Sequence, residues 1–240
     1  MMDGHLPKIQ HYEFLLFDLD NTLLDYDHAE EDALLATFSA YDLDIHFDEI
    51  REIYAKINAS YWRAFEEKKT TIQELKTARF RDLIHSLSYL NHIDPFICSE
   101  SYLDHLSKQV HLMPGALELL ESLHGKYNLC LVTNGISRVQ HSRIRKVGFD
   151  KFFPHVVISE EIGFSKPNPS FFHHALQLLG NPPVQKALII GDNLKSDIEG
   201  GLGTGMHACW FNPKNEKPAD EILPTYIISK LSDLTNILTL

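Results

Sequence analysis

Six short stretches rich in apolar residues punctuate the chain, at 14–17, 129–133, 156–158, 187–190, 207–211 and 226–228. A strand with one face in water alternates polar and apolar residues; most of these do not alternate. Near-continuous apolar runs separated by segments of helical character predict a parallel sheet covered on both faces, and so an α/β fold with a doubly wound, mainly parallel sheet. With 240 residues, 44% of them hydrophobic, the chain can fill one sizeable domain or one domain with an insertion.

The spacing of the runs is uneven. Between Asp25 and His111 no strand-like run occurs. Ile50, Ile53, Tyr54, Ile57, Tyr61 and Phe65 instead fall three and four apart on one helix face. Ile72, Leu75, Leu83, Ile84 and Leu87 sketch a second face. Leu112-Met113-Pro114-Gly115 marks a return, with Ala116–Leu123 read as a helix leading into the second strand. The expected division is an α/β core of residues 1–23 and 111–240, interrupted by a helical unit at 24–110. That unit would overhang the carboxyl edge of the sheet, where open α/β sheets bind ligands.

The first run ends on Asp18 and Asp20, two carboxylates where a buried strand stops. Three further polar groups follow strands or lie in the loops beyond them: Thr133-Asn134-Gly135, Lys166-Pro167, and Gly191-Asp192 through Asp197. In a parallel sheet these ends lie side by side, so Asp18, Asp20, Asp192 and Asp197 would crowd together with Lys166 as the one evident cation. Crowded carboxylates force one of their number to take a proton, unless a cation relieves them. Oxygen donors of this kind suit Mg²⁺, which commonly shares its shell with a phosphate. Taken singly, each motif has an ordinary reading: a turn, a helix cap, a surface lysine. Their coincidence at strand ends is what points to chemistry.

In this order the motifs DxDxT at Asp18–Thr22, Thr133, Lys166 and GDxxxxD at Gly191–Asp197 resemble those of the haloacid dehalogenase superfamily, with a C1-type cap inserted after the first motif. The resemblance implies Asp18 as nucleophile in an aspartyl-phosphate mechanism and Asp20 as general acid and base. Asp18, the Asp20 backbone carbonyl and Asp192 would hold Mg²⁺, with Asp197 bonding to its waters or orienting Lys166. Thr133, the Asn134 and Gly135 N–H groups and Lys166 would bind the phosphate. Dehalogenases of the superfamily lack the second aspartate, so Asp20 implies phosphate-ester hydrolysis. Leu131 to Ile136 with Gln140 and Arg143, Ser159 to Gly163, and Cys209 to Asn212 are similar to the noncanonical pyrimidine (house-cleaning) 5′-nucleotidases. In the cap, Ile57-Asn58 through Trp62, Phe65 and Glu66, then Arg79-Phe80, resemble the same subgroup. Trp62, Phe65, Arg79 and Phe80 could stack on and hydrogen-bond a base; the other reading of Trp62 and Phe65 is packing within the cap. Small sugar phosphatases such as the N-acylneuraminate 9-phosphatases, a β-phosphoglucomutase-like transfer and a catalytically silent regulatory module are the competing readings.

A net charge of −11 argues against a general hold on nucleic acid polymers, and the partner expected is a small phosphate monoester bound by a monomer or homodimer. Cys98, Cys130 and Cys209 form no CxxC pair, and Cys130 and Cys209 read as buried and reduced. No stretch could span a bilayer, and residues 1–10 are too polar for a signal peptide; a cytoplasmic protein is expected. The fourteen histidines form no HExxH pattern and none is assigned to zinc. Gly200 to Gly205 follows an expected helix rather than a strand and reads as a helix stop.

Overall fold

The computed structural model describes residues 11–43, 46–217 and 221–238; residues 1–10, with the expectation about a signal peptide, lie outside these. All six expected strands form, with three ends moved by one residue: β1 (Phe14–Phe17), β2 (Asn128–Thr133), β3 (His155–Ile158), β4 (Ala187–Gly191), β5 (His207–Phe211) and β6 (Tyr226–Ile228). They make one sheet in the order β3-β2-β1-β4-β5-β6, and every pairing is parallel.

Alternate side chains of each strand enter opposite layers. Leu15, Phe17, Leu129, Leu131, Leu188 and Ile190 pack on one face with Leu119, Leu120 and Leu123. Leu16, Cys130, Val132 and Ile189 pack on the other with Phe171, Phe172 and Trp210. Burial on both faces explains why these strands are continuously apolar. The three cysteines are free and buried, as such positions favour.

Among the described residues, four α-helices fill the stretch from Asp25 to His111: α1 (Tyr26–Ser39), α2 (Phe47–Glu66), α3 (Ile72–Ser86) and α4 (Pro95–Leu106). Their starts follow local chemistry. Asp25 accepts from the His28 N–H, Thr71 from the Glu74 N–H, and Asp94 from those of Phe96 and Ile97, with Pro95 opening α4. They share an apolar cluster of their own, including Leu34, Phe38, Ile50, Tyr54, Phe80, Leu83 and Tyr102. Further helices serve the sheet, among them α5 (Ala116–Leu123), α6 (Ser137–Val147), α7 (Ser159–Ile162) and α8 (Pro169–Leu178).

The helix after β4 ends within the expected glycine-rich stretch, but at its far end: a π-helical turn, Leu194–Glu199, continues into Gly200–Gly203, and the left-handed residue that follows is Gly205. A Cβ at Gly201 would lie 2.3 Å from Ile189 Cγ2, and one at Gly200 2.5 Å from the Phe172 ring. These glycines let the segment lie against β4 and α8. Close packing, rather than termination, is their local role. Among the described residues no helix is long and apolar enough to cross a membrane.

Candidate active site

The carboxyl ends of β1, β2 and β4 bring Asp18, Thr133 and Asp192 to one edge, and the loop after α7 adds Lys166. All four line a cavity of about 250 Å³ together with Asp20, Asn134, Gly135 and Asp197. Trp62, Glu66 and Arg79, from α2 and α3, line the same cavity. Phe65 packs edge-on against Trp62, with ring centroids 5.9 Å apart. Phe80 is fully buried against Tyr54 and Tyr102, so the expected base contact from Phe80 is not available.

Lys166 is the electrostatic centre. Its ammonium donates to Asp18 Oδ1 at 2.5 Å, Asp197 Oδ1 at 2.6 Å and the Val132 carbonyl at 3.2 Å, using all three protons. Burial would lower its pKa, but Asp18 and Asp197 outweigh that and raise it. Asn134 fixes the loop that carries Lys166: its side chain accepts from the Lys166 N–H at 2.8 Å and donates to the Lys166 carbonyl at 2.9 Å.

The carboxylates are under strain of the expected kind. Burial pushes the Asp18 carboxyl up to about 7; Lys166 pulls it down, while Asp197 and Asp20 push it further up. Asp192 is raised well above the usual carboxylate range by burial, then by Asp18 and Asp197. Asp18, Asp192 and Asp197 each offer an oxygen within 4.8 Å of the others. Three hard oxygen donors facing one ammonium are a set that a divalent cation fits. Asp197, expected behind the ligands, therefore stands among the possible donors while also holding Lys166. Its second oxygen accepts from the Asn193 N–H at 3.1 Å. A Cβ at Gly191 would fall 2.4 Å from that carboxylate, which explains the glycine at the end of β4.

Asp20 points elsewhere. One oxygen accepts from Arg143 Nη1 at 2.5 Å and the other from Gln140 Nε2 at 2.7 Å. Gln140 also donates to Thr133 Oγ1 at 2.8 Å, and the Gly135 N–H donates to the same hydroxyl at 3.2 Å. With both acceptor positions used, Thr133 has its own proton left to give. A phosphate oxygen at the Gly135 N–H would share or replace the contact to Thr133. A Cβ at Gly135 would lie 2.1 Å from Gln140 Nε2, so this glycine makes room for Gln140.

Sequence reasoning gave Gln140 and Arg143 no role, though a signal existed. They lie three apart on the buried face of α6, beside Val139 and Ile144, where an isolated helix pattern would place apolar residues. Arg143 is fully buried, and its Nε donates to the Gln109 carbonyl at 3.1 Å. Glu66 is a third such residue: burial, then Asp197, raises its pKa.

Arg79, also fully buried, donates from Nη1 to Asn58 Oδ1 at 2.7 Å, and Asn58 donates to Glu30 at 2.7 Å. Its guanidinium carbon sits 5.0 Å from the Tyr102 ring centroid, while Nε and Nη2 have no hydrogen-bond partner. A buried donor of this kind is costly unless something fills it, at about 1–3 kcal/mol.

The family model for haloacid dehalogenase-like hydrolases matches residues 15–211. The chain belongs to that family. It is 36% identical to the HAD-hydrolase YfnB of Bacillus subtilis (strain 168), over 97% of each chain. The crystal structure of YfnB bound to magnesium superposes with a TM-score of 0.88, covering 96% of this chain and all of that one. Pyrimidine 5′-nucleotidase YjjG of Escherichia coli (strain K12) is 30% identical over 95% of this chain and 98% of its own. N-acylneuraminate-9-phosphatase of Mus musculus is 28% identical over 93% of this chain and 92% of its own. This hydrolase thus shares whole-length similarity with enzymes whose names specify different phosphate esters.

Proposed function

We propose that this hydrolase is a Mg²⁺-dependent phosphomonoesterase that works through an aspartyl-phosphate on Asp18, with pyrimidine nucleoside 5′-monophosphates as substrates. The observation that carries the reading is the single cavity holding Asp18, Asp20, Thr133, Lys166 and Asp192 on one wall and Trp62 and Arg79 on the other. The helices at 24–110 would act as a cap that completes the pocket and excludes water.

Asp18, Asp192 and the Asp20 backbone carbonyl would hold Mg²⁺, with Asp197 nearby. When bound, the ion neutralises the carboxylates and withdraws charge from the phosphoryl oxygens. The Thr133 hydroxyl donates to those oxygens, and Lys166 donates as well by exchanging one of its three present contacts, so donors meet the charge that develops in transfer. Asp18 attacks phosphorus and the ester oxygen leaves; Asp20 gives that oxygen its proton. Asp20 then takes a proton from the water that hydrolyses the acyl phosphate, returning Asp18 and free phosphate. Both Asp20 oxygens accept hydrogen bonds from Gln140 and Arg143, so a proton on Asp20 must replace one of these contacts.

Arg79 supplies the case for a base. Its Nε and Nη2 are buried donors without partners in a cavity that Trp62 also lines, and a pyrimidine offers carbonyl acceptors beside a flat face. Phosphate release measured over pyrimidine and purine monophosphates and sugar phosphates, with Mg²⁺ and with EDTA, tests the reading. Mg²⁺-dependent release favouring the pyrimidine esters supports it. Preference for sugar phosphates would keep Asp18 and overturn the base pocket; no release from any of them would leave the regulatory-module reading standing.

A further inference from the structure

The chain crosses between the sheet and the four inserted helices twice, and the two crossings are stitched together. The Asp25 N–H donates to the His111 carbonyl at 2.8 Å, the Met113 N–H donates to the Leu23 carbonyl at 2.9 Å, and Leu24 and Leu112 form an antiparallel bridge. Three side chains with metal-binding atoms meet at this seam. His28 and Asp32 lie four residues apart on one face of α1, and His111 comes from the returning segment.

We infer that His28, Asp32 and His111 form a binding site for a zinc-class transition-metal dication that ties α1 to the return segment. The imidazole rings of His28 and His111 lie parallel, with centroids 3.9 Å apart and planes at 9°. Both Nε2 atoms face the same carboxylate: His28 Nε2 is 3.9 Å from Asp32 Oδ1, and His111 Nε2 is 2.9 Å from Oδ2. One donor atom from each residue lies within 4.8 Å of the other two. Around a tetrahedral ion with bonds near 2.0–2.2 Å, neighbouring donors stand about 3.3 Å apart. The two distances, to different oxygens of Asp32, bracket that value; because the rings are parallel, one of them, the half-exposed His28, must turn out of the stack for both in-plane lone pairs to meet at one centre.

An ordinary ion pair is the competing reading: both histidines lie within ion-pair range of Asp32, but only His111 within hydrogen-bond range. A single cation accepting lone pairs from both rings accounts for the pair together. Two imidazoles and one carboxylate suit zinc, nickel or copper rather than magnesium, which takes oxygen donors. With three protein ligands a fourth position is left for water, and the half-exposed His28 side chain gives the ion a path in. This site is separate from the Asp18 cluster and does not depend on the proposed substrate.

The test uses Co²⁺ as a spectroscopic probe for zinc, in the full chain with Mg²⁺ in excess to fill the Asp18 cluster. The expected result is one equivalent of Co²⁺ with an intense tetrahedral absorption band, displaced by Zn²⁺. His28→Ala and His111→Ala should each weaken binding by more than the roughly tenfold that loss of an outer partner costs, while Asp192→Asn keeps it. Thermal melts without metal check that each variant folds; a Zn²⁺-dependent rise in Tm in wild type, absent in His28→Ala, is a second readout. Binding unchanged in both histidine variants, binding lost in Asp192→Asn instead, or no band at any Co²⁺ concentration the protein tolerates would each overturn the inference.

Discussion

Replacing Asp18 by asparagine should make the metal-free protein more stable while abolishing turnover. In the folded chain Asp18 titrates at about 7 against an ordinary value of 3.8, chiefly because it is buried. A gap of roughly three units is worth about 4 kcal/mol. The sign follows from which state holds the proton. The folded state binds it more tightly, so stability falls as pH rises from the unfolded value towards the folded one, and the full cost is present above pH of about 7. Asparagine removes the charge and keeps the shape. Deleting one partner of a buried ion pair ordinarily costs about 3–5 kcal/mol, but here Lys166 keeps Asp197 at 2.6 Å and the Val132 carbonyl at 3.2 Å. Three carboxylates facing one ammonium become two, and the surplus negative charge shrinks. Urea unfolding in EDTA should therefore show Asp18→Asn more stable by up to about 4 kcal/mol at pH 8, falling to about 2 kcal/mol at pH 5. A loss of stability at pH 8, or a gain that does not change with pH, would refute the reasoning.

Gln140→Ala should lower kcat by about 100-fold, because it releases Asp20 and the Thr133 hydroxyl together; steady-state kinetics over a pH series reads both the loss and a changed profile. Gly135→Ala should reproduce that loss without changing Gln140 itself, since the new Cβ would occupy the position of Gln140 Nε2; equal kcat in wild type and variant would contradict it. Trp62→Ala and Arg79→Lys should raise KM for pyrimidine monophosphates by at least about tenfold while sparing a small phosphate ester, read from paired substrate assays. Removing divalent cations with EDTA should abolish phosphate release, with Mg²⁺ restoring it.

The sheet was legible because both of its faces are buried, which leaves strands such as Leu188-Ile189-Ile190 without a polar residue. The catalytic edge was legible for a related reason: a carboxylate ending a run like Phe14–Phe17 cannot be core, and a parallel sheet puts such ends together. What the sequence hid depends on distance or on packing. Asp32 and His111 are 79 residues apart and meet only because the inserted helices return beside their point of departure. Arg143 and Gln140 share the buried face of α6 with Val139 and Ile144, but only the packing of α6 shows that they face Asp20. Gly200 and Gly201 carry a common helix-ending composition, and only the nearness of Phe172 and Ile189 shows why the helix needs them. Phe80 is the converse case. Its aromatic character suggested a ligand contact, but its spacing on α3 with Leu83 and Ile84 places it in the apolar cluster of the inserted helices.

If Asp18 is the nucleophile, as proposed, the enzyme passes through a phosphorylated Asp18, and one measurement detects it directly. The protein with Mg²⁺ and a pyrimidine nucleoside monophosphate is quenched in acid during turnover and its peptides are weighed by mass spectrometry. The expected result is a mass gain of one phosphoryl group on the peptide containing Asp18, lost in Asp18→Asn. Turnover with no phosphorylated peptide, or with the phosphoryl group on another residue, would contradict it.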